Sequence, residues 1–158
     1  MFGALVEVLT GTERLPLVRE GVDGAGAAVE GALAGGSLTL IAASLGTPWA
    51  IDARGAILLL EDTGERPFRV DRMLQHLRFA GALDGVLGVG LGHFARCDEP
   101  DGVINSAQTL GAGLGAGGIP SVAGLPLGYG APNLAWPMGV RARLDGARAT
   151  LHILERGV

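Results

Sequence analysis

The sequence predicts an α/β domain from three local observations. Residues 56–60 are apolar without alternation, as is typical of a strand covered on both faces, and the acids Glu61 and Asp62 follow at its carboxyl end. Behind them, Pro67 opens a run with helical apolar spacing. A second unbroken apolar run, residues 86–91, predicts another buried strand. Because open sheets of this kind bind ligands beyond the carboxyl ends of their strands, Glu61 and Asp62 are candidate site residues.

The elements up to the central helix follow from periodicity and cap signals. We expect a short helix over residues 2–10, a crossover over 11–26 and a strand over 27–33. Ser37 is a suitable N-cap for a helix that continues to residue 44. The central helix should run over residues 67–79 and stop at Gly81. Its apolar positions at i, i+3, i+4 and i+7 are Val70, Met73, Leu74 and Leu77.

The elements beyond the 86–91 strand are predicted by weaker patterns. Residues 104–114 predict a helix weakened by glycine, and residues 119–123 a third buried strand. Residues 140–144 and 147–154 flank Asp145-Gly146, a strong hairpin signal, so they should form two antiparallel strands. Periodicity alone supports the α/β class and no finer description.

Composition indicates one compact domain. Of 158 residues, 48% are hydrophobic but only 4% aromatic, so the core depends on small and aliphatic side chains. A net charge of −4 without a basic cluster predicts no nucleic-acid partner. Residues 102–140 carry no charge, but prolines divide them into pieces shorter than the ~20 residues that span a bilayer, so we expect no membrane partner. A single Cys97 and a start without a secretory leader predict a cytoplasmic protein.

The segment AILLLEDTGERPFRVDRMLQHL, residues 56–77, resembles the carboxy-terminal domain of the LD-carboxypeptidase family, the S66 serine peptidases or muramoyltetrapeptide carboxypeptidases. Further matching motifs occur in family order at residues 35–38, 46–49, 88–94, 119–120 and 137–139. The resemblance implies a swivelling β/β/α domain over residues 18–158, with a parallel central sheet and a second antiparallel sheet. Residues 1–17 are then a short helix and crossover resembling the end of a missing serine domain.

The resemblance also implies which residues occupy the catalytic positions. In the family, a nucleophilic serine lies in the amino-terminal domain, and the carboxy-terminal domain supplies a Glu, here Glu61, and a His in a Gly-His-Gly turn. This chain has Tyr129 where that His is expected. A phenol, with an ordinary pKa of about 10, poorly replaces imidazole at about 6.5 as a base. A serine triad needs a nucleophile, a base and an orienting group, so only the orienting carboxylate is expected to remain. The ring of Tyr129 is expected to pack structurally.

Other candidate residues are weaker. His93 closes the 86–91 strand and is the one substitute base worth naming, although a solvated histidine at a strand end is commoner. His93 and Cys97 are four residues apart, but zinc needs three or four ligands, so no metal site is expected, and no cofactor is implied. Asp71 and Arg72 match the family helix and are expected to form structural ion pairs.

Three functional hypotheses remain open. The first is a standalone, non-catalytic domain that acts as an interaction or oligomerisation module. The second is one half of a split serine peptidase that removes terminal D-alanine from murein tetrapeptides, with the serine domain supplied by another chain. The third is a fragment of a longer protein. We expect a homodimer, with Leu127, Tyr129, Leu134 or Trp136 near the contact. A separate serine-domain chain and a murein peptide ligand are the other partners considered.

Overall fold

The structure is a computed structural model that describes residues 17–102 and 104–156. Within them the chain forms eight strands, three helices and one short 3₁₀ helix. The strands are β1 (Leu17–Glu20), β2 (Asp23–Ala25), β3 (Ala28–Ser37), β4 (Ala56–Thr63), β5 (Gly88–Ala95), β6 (Ser121–Ala123), β7 (Arg141–Asp145) and β8 (Thr150–Ile153). The helices are α1 (Leu38–Ser44), α2 (Pro67–Phe79), α3 (Ser106–Ala116) and the 3₁₀ helix Gly146–Arg148.

All eight strands belong to one mixed sheet in the order β1-β8-β7-β3-β4-β5-β6-β2. The four central strands, β3 to β6, run parallel, whereas β1, β8 and β7 pair antiparallel beside them and β2 pairs antiparallel with β6. The predicted α/β class, with a parallel centre and an antiparallel part, is therefore confirmed. The two parts are hydrogen-bonded into one continuous sheet through the β3–β7 pair.

The sheet curls until its two edges meet. Strands β1 and β2 occupy opposite ends of the strand order, yet only Gly21 and Val22 separate them in the chain. The amide of Gly21 donates to the Ala149 carbonyl at 2.7 Å, and the amide of Val22 donates to the Ala123 carbonyl at 2.7 Å. Both edges are thus tied together by backbone hydrogen bonds, which leaves little free edge.

Strand β4 separates two hydrophobic cores, which explains its unbroken apolar run. Leu58 and Leu60 pack in the core beneath the helices, whereas Ile57 and Leu59 pack in the core beneath the antiparallel strands β7 and β8. All four side chains are fully buried, each stabilising the fold by about 1.5–3 kcal/mol. The predicted strand 56–60 is confirmed, and it continues through Glu61 and Asp62 to Thr63.

The first two helices agree with their sequence signals. Ser37 caps α1 because its Oγ accepts a hydrogen bond from the amide of Leu40 at 3.3 Å. Helix α2 has Pro67 in its first turn, ends at Phe79, and is followed by Gly81 with φ of +71°. Its apolar face is buried as predicted, with Met73 partly exposed.

Several boundaries differ from the predicted ones. The expected crossover over 11–26 contains β1 and β2, which are short strands paired with segments remote in sequence. Strand β5 begins and ends later than the predicted 86–91, and the Asp145-Gly146 turn is a 3₁₀ helix closed by Ala149 at φ +51°. The predicted helix over residues 2–10 lies outside the described residues. Within the described ranges, no helix has the length and apolar character needed to cross a bilayer.

Candidate functional site

Two consecutive carboxylates end strand β4 and point to opposite faces of the sheet. Glu61 lies on the face covered by residues 127–133, and Asp62 on the face covered by the helices. Both are buried, with 9% and 5% of their surface exposed. Strand alternation alone sends neighbouring side chains to opposite faces, so one sequence pair contributes to two different environments.

Asp62 is fully engaged by hydrogen-bond donors. Its Oδ2 accepts from the backbone amide of Thr39 at 2.7 Å and from the Thr39 hydroxyl at 2.8 Å, and its Oδ1 accepts from the amide of Thr63 at 2.8 Å. Thr39 lies in the first turn of α1, so Asp62 joins the start of that helix to the end of β4. This structural role was missed from the sequence, because the partner is remote in the chain.

Glu61, by contrast, is buried without a partner. Its Oε2 is inaccessible and has no hydrogen-bond partner within the described residues. The backbone of Gly128 passes directly against it: a Cβ added at Gly128 would lie 2.7 Å from Oε2. Burial raises the pKa of the Glu61 carboxyl, and the neighbouring charge of Asp62 raises that pKa further. The geometry therefore favours the neutral form of Glu61 more than in an exposed carboxyl.

A β-bulge turns His93 toward the same covering segment. Leu60 pairs with Leu91, but Asp62 pairs with Phe94, so strand β5 holds one extra residue opposite Glu61. The Nε2–H of His93 donates to the carbonyl of Pro132 at 3.2 Å, because a carbonyl can only accept. Its ring lies so close to Gly130 that a Cβ there would overlap it. His93 is thus half-buried and holds residues 130–132, and no hydrogen bond joins it to Glu61.

Tyr129 shares a cavity with Glu61 but does not pack as expected. Its side chain is 72% exposed, so the prediction that its ring packs structurally is wrong. Gly128 and Gly130, which flank it in the chain, carry no side chains that could cover the ring. The cavity is about 420 Å³ in volume. It is lined by Gly36, Glu61, Leu127, Gly128, Tyr129, Gly130 and Asn133. Gly36 and Asn133 were not singled out from the sequence.

Two further expectations concern residues away from this cavity. Asp71 and Arg72 are exposed on α2 and form no ion pair within the described residues, so the expected structural pairs are wrong. Helix α2 instead pairs Arg69 with Glu65 at 3.4 Å. Cys97 is buried, and burial is the main cause that raises the pKa of its thiol. In the ranges that the structure describes, no group of three or more His, Cys, Asp or Glu side chains could hold a metal ion.

Comparison with known proteins identifies the family of the chain. Residues 30–144, which include Glu61, His93 and Tyr129, match the family profile of the LD-carboxypeptidase C-terminal domain. A probable murein peptide carboxypeptidase of Bacillus subtilis is 35% identical over 151 residues, covering 94% of this chain and 46% of the relative. The murein tetrapeptide carboxypeptidase of Pseudomonas aeruginosa is 38% identical over 121 residues, covering 76% and 39%.

A solved structure gives the same result at the level of the fold. The muramoyltetrapeptide carboxypeptidase of Oxalobacter formigenes superposes with a TM-score of 0.81 at 32% identity. The match covers 98% of this chain and 54% of that chain. The chain therefore spans about half the length of the relatives that it matches.

Proposed function

This chain belongs to the LD-carboxypeptidase family through that family's carboxy-terminal domain, and we propose that it is non-catalytic by itself and acts as an interaction or oligomerisation module. The observation that carries the proposal is the state of Glu61. Its carboxyl lies buried in the cavity, Oε2 has no hydrogen-bond partner, and Tyr129, at the expected base position, points to solvent. His93, on the neighbouring strand β5, donates to the Pro132 carbonyl instead.

The chemistry explains why this arrangement favours a pseudoenzyme. In a serine triad the carboxylate orients an imidazole, which takes the proton of the nucleophile. Glu61 is present, but no imidazole bonds to it within the described residues, so it has nothing to orient. Without an imidazole between Glu61 and a serine, no base is placed to take the proton of the nucleophile, so peptide hydrolysis should not proceed through this domain.

The test is release of D-alanine from a murein tetrapeptide at neutral pH. We expect no release above background from the purified chain, and no further change in Glu61→Ala. Release that Glu61→Ala abolishes would contradict the proposal. A companion arm adds the serine domain of an active relative to native chain and to Tyr129→His. Release that occurs in the mixture of the serine domain with Tyr129→His, and not in the mixture with the native chain, would support the proposal. It would show that Glu61 is correctly placed and lacks only its base.

A split peptidase is the second candidate, favoured by the bulge that turns His93 toward the covering segment of Glu61. Here another chain supplies the serine domain, and a murein tetrapeptide is the substrate. Release of D-alanine from native chain plus the serine domain would support it and overturn the first proposal. His93→Ala in that mixture would then show whether His93 is the base: loss of release assigns the role to His93, and unchanged release excludes it.

The interaction module is proposed to be a homodimer that operates in the cytoplasm. Of the expected contact residues, Leu127 and Trp136 are partly buried against the core beneath β7 and β8, and Tyr129 is the exposed one. Leu40 and Phe68, each in the first turn of a helix that follows a parallel strand, are also exposed, at 70% and 61%. Both helices start beyond the carboxyl ends of parallel strands, and a contiguous apolar surface there would be typical of an interface. Light scattering should give a mass above 16.0 kDa at micromolar concentration, whereas a strict monomer would contradict the dimer.

A further inference from the structure

The cavity beside Glu61 combines a buried acid with walls that carry no basic side chain. Its polar side chains are those of Glu61, Tyr129 and Asn133, and its other lining residues are three glycines and Leu127. A cavity of about 420 Å³ is large enough for a small organic molecule. The charge that this cavity can present is therefore negative.

From this arrangement we propose that the cavity binds a small organic cation, an alkylammonium or alkylguanidinium group. Its charge lies against the carboxylate of Glu61, and its alkyl chain lies against Leu127 and the ring of Tyr129. This inference rests on the proposed non-catalytic role, because a catalytic imidazole oriented by Glu61 would occupy the space beside the carboxylate that this cation is to fill.

The unpartnered oxygen of Glu61 is the first argument for a cation. Buried polar groups are almost always hydrogen-bonded, and a buried carboxylate without a donor is unfavourable. Within the described residues nothing satisfies Oε2, although Asp62, the next residue, receives three hydrogen bonds. Oε2 itself is inaccessible, so a ligand in the cavity approaches the rest of the carboxyl group, where a positive charge with N–H donors offsets the unfavourable burial of the carboxylate; a neutral apolar ligand does not.

The walls of the cavity provide the second argument. A Cβ added at Gly36 would meet nothing within 4 Å, so the space beside this residue is open to a ligand. At the rim stands Tyr129, whose largely exposed ring can turn its face toward a cation. The amide oxygen of Asn133 supplies a further acceptor for N–H groups.

A second groove has the opposite charge and serves as an internal control. Between α1 and α2, a space of about 490 Å³ is lined by Arg69, Arg72, His76 and Glu65, and it also contacts Thr39 and Ala42. Glu65 pairs with Arg69, so Arg72 leaves the groove with a net positive charge. An organic cation should avoid this groove because like charges repel. A ligand that perturbed both grooves equally would be binding without regard to charge.

The experiment is an amide-shift titration of the ¹⁵N-labelled full chain with butylammonium chloride and with methylguanidinium chloride at pH 7.5. Sodium chloride at equal ionic strength and 1-butanol are the controls for salt and for the apolar chain. We expect saturable shifts at the amides of Gly36, Gly128, Tyr129 and Gly130, and none at Thr39 or Ala42. Glu61→Gln should weaken binding about tenfold, since it removes a charge-assisted hydrogen bond.

Two variants keep the result interpretable. Glu30→Gln removes the same charge from an exposed strand position and should bind like the native chain. Tyr129→Ala removes an exposed ring, so the fold should persist while affinity falls several-fold if the ring contacts the ligand. A blocked peptide, acetyl-Gly-Arg-Gly-amide, distinguishes the sources: tighter binding than methylguanidinium indicates the side chain of a partner, and weaker binding indicates a free small cation.

The inference would be overturned by equal binding to Glu61→Gln, by the same shifts with 1-butanol, or by no saturable shift with either cation. These outcomes are independent of the activity assay. D-alanine release would refute the non-catalytic role and leave the titration result standing as an observation. Failure to bind a cation would refute this inference while the non-catalytic role remained.

Discussion

Glu61 and Asp62 are neighbours on one strand, both at least nine-tenths buried, and they differ in everything that surrounds their carboxyl groups. Asp62 receives three hydrogen bonds from Thr39 and Thr63, whereas Oε2 of Glu61 receives none within the described residues. The difference shows that burial alone does not define a structural carboxylate. A buried carboxylate that accepts hydrogen bonds stabilises the fold, whereas one without donors at a cavity is a candidate ligand-binding group.

The faces of the sheet explain how the two environments arise. On the helix side, the first turn of α1 brings a free backbone amide and a hydroxyl to Asp62. On the other side, Glu61 meets glycine backbone at Gly128 and Gly130 and the exposed ring of Tyr129. Helix N-termini offer donors to an acid, whereas this glycine-rich segment leaves space beside it.

The largest expected effect on stability is at Asp62, the hydrogen-bonded acid of the pair. Asp62→Ala should lower the free energy of unfolding by roughly 2–4 kcal/mol, because it removes the acceptor of the partly buried Thr39 amide and leaves the Thr39 hydroxyl only the Met73 sulfur, at 3.6 Å. Urea denaturation at pH 7.5 measures the change. Asp62→Asn is the matched control: it keeps one acceptor oxygen, so it should lose less. Equal losses in the two variants would show that the hydrogen bonds to Thr39 contribute little and would weaken the contrast with Glu61.

Much of the fold was predictable because its signals are local. The apolar run of β4 and the helical spacing of α2 depend on neighbouring residues, and the structure confirms both. Strands β1 and β2 were missed because each is short and forms only by pairing with β8 or β6, which are distant in the chain. A four-residue or three-residue strand has no periodicity strong enough to identify it.

The candidate site was predictable in its position but not in its detail. The strand-end acids and Tyr129 were identified, and the structure places Glu61 and Tyr129 in one cavity. Which acid is satisfied depends on Thr39 and on residues 127–133, whose placement is a tertiary property. The bulge opposite Glu61 and the exposure of Tyr129 are likewise set by packing. The glycines around position 129 indicate that the backbone comes close to another group, but the sequence does not identify that group.

A smaller effect of opposite sign on stability is expected at Glu61, the acid without a hydrogen-bond partner. Glu61→Gln should stabilise the protein at pH 7.5 by about 1 kcal/mol. Burial raises the pKa of Glu61 above its ordinary 4.5, so the folded state holds this proton more tightly than the unfolded state. Ionisation of Glu61 therefore lowers the free energy of unfolding as the pH rises from about 4.5 through the folded pKa. Above the folded pKa the loss has reached its full size. The gain from Gln should appear over that window and vanish below about pH 4. Urea denaturation of both proteins across this pH range measures it, with the exposed Glu30→Gln as a control that should show no such gain. A Gln variant less stable than native at pH 7.5 would mean that the Glu61 carboxylate has a partner after all, and the contrast between the two acids would fail.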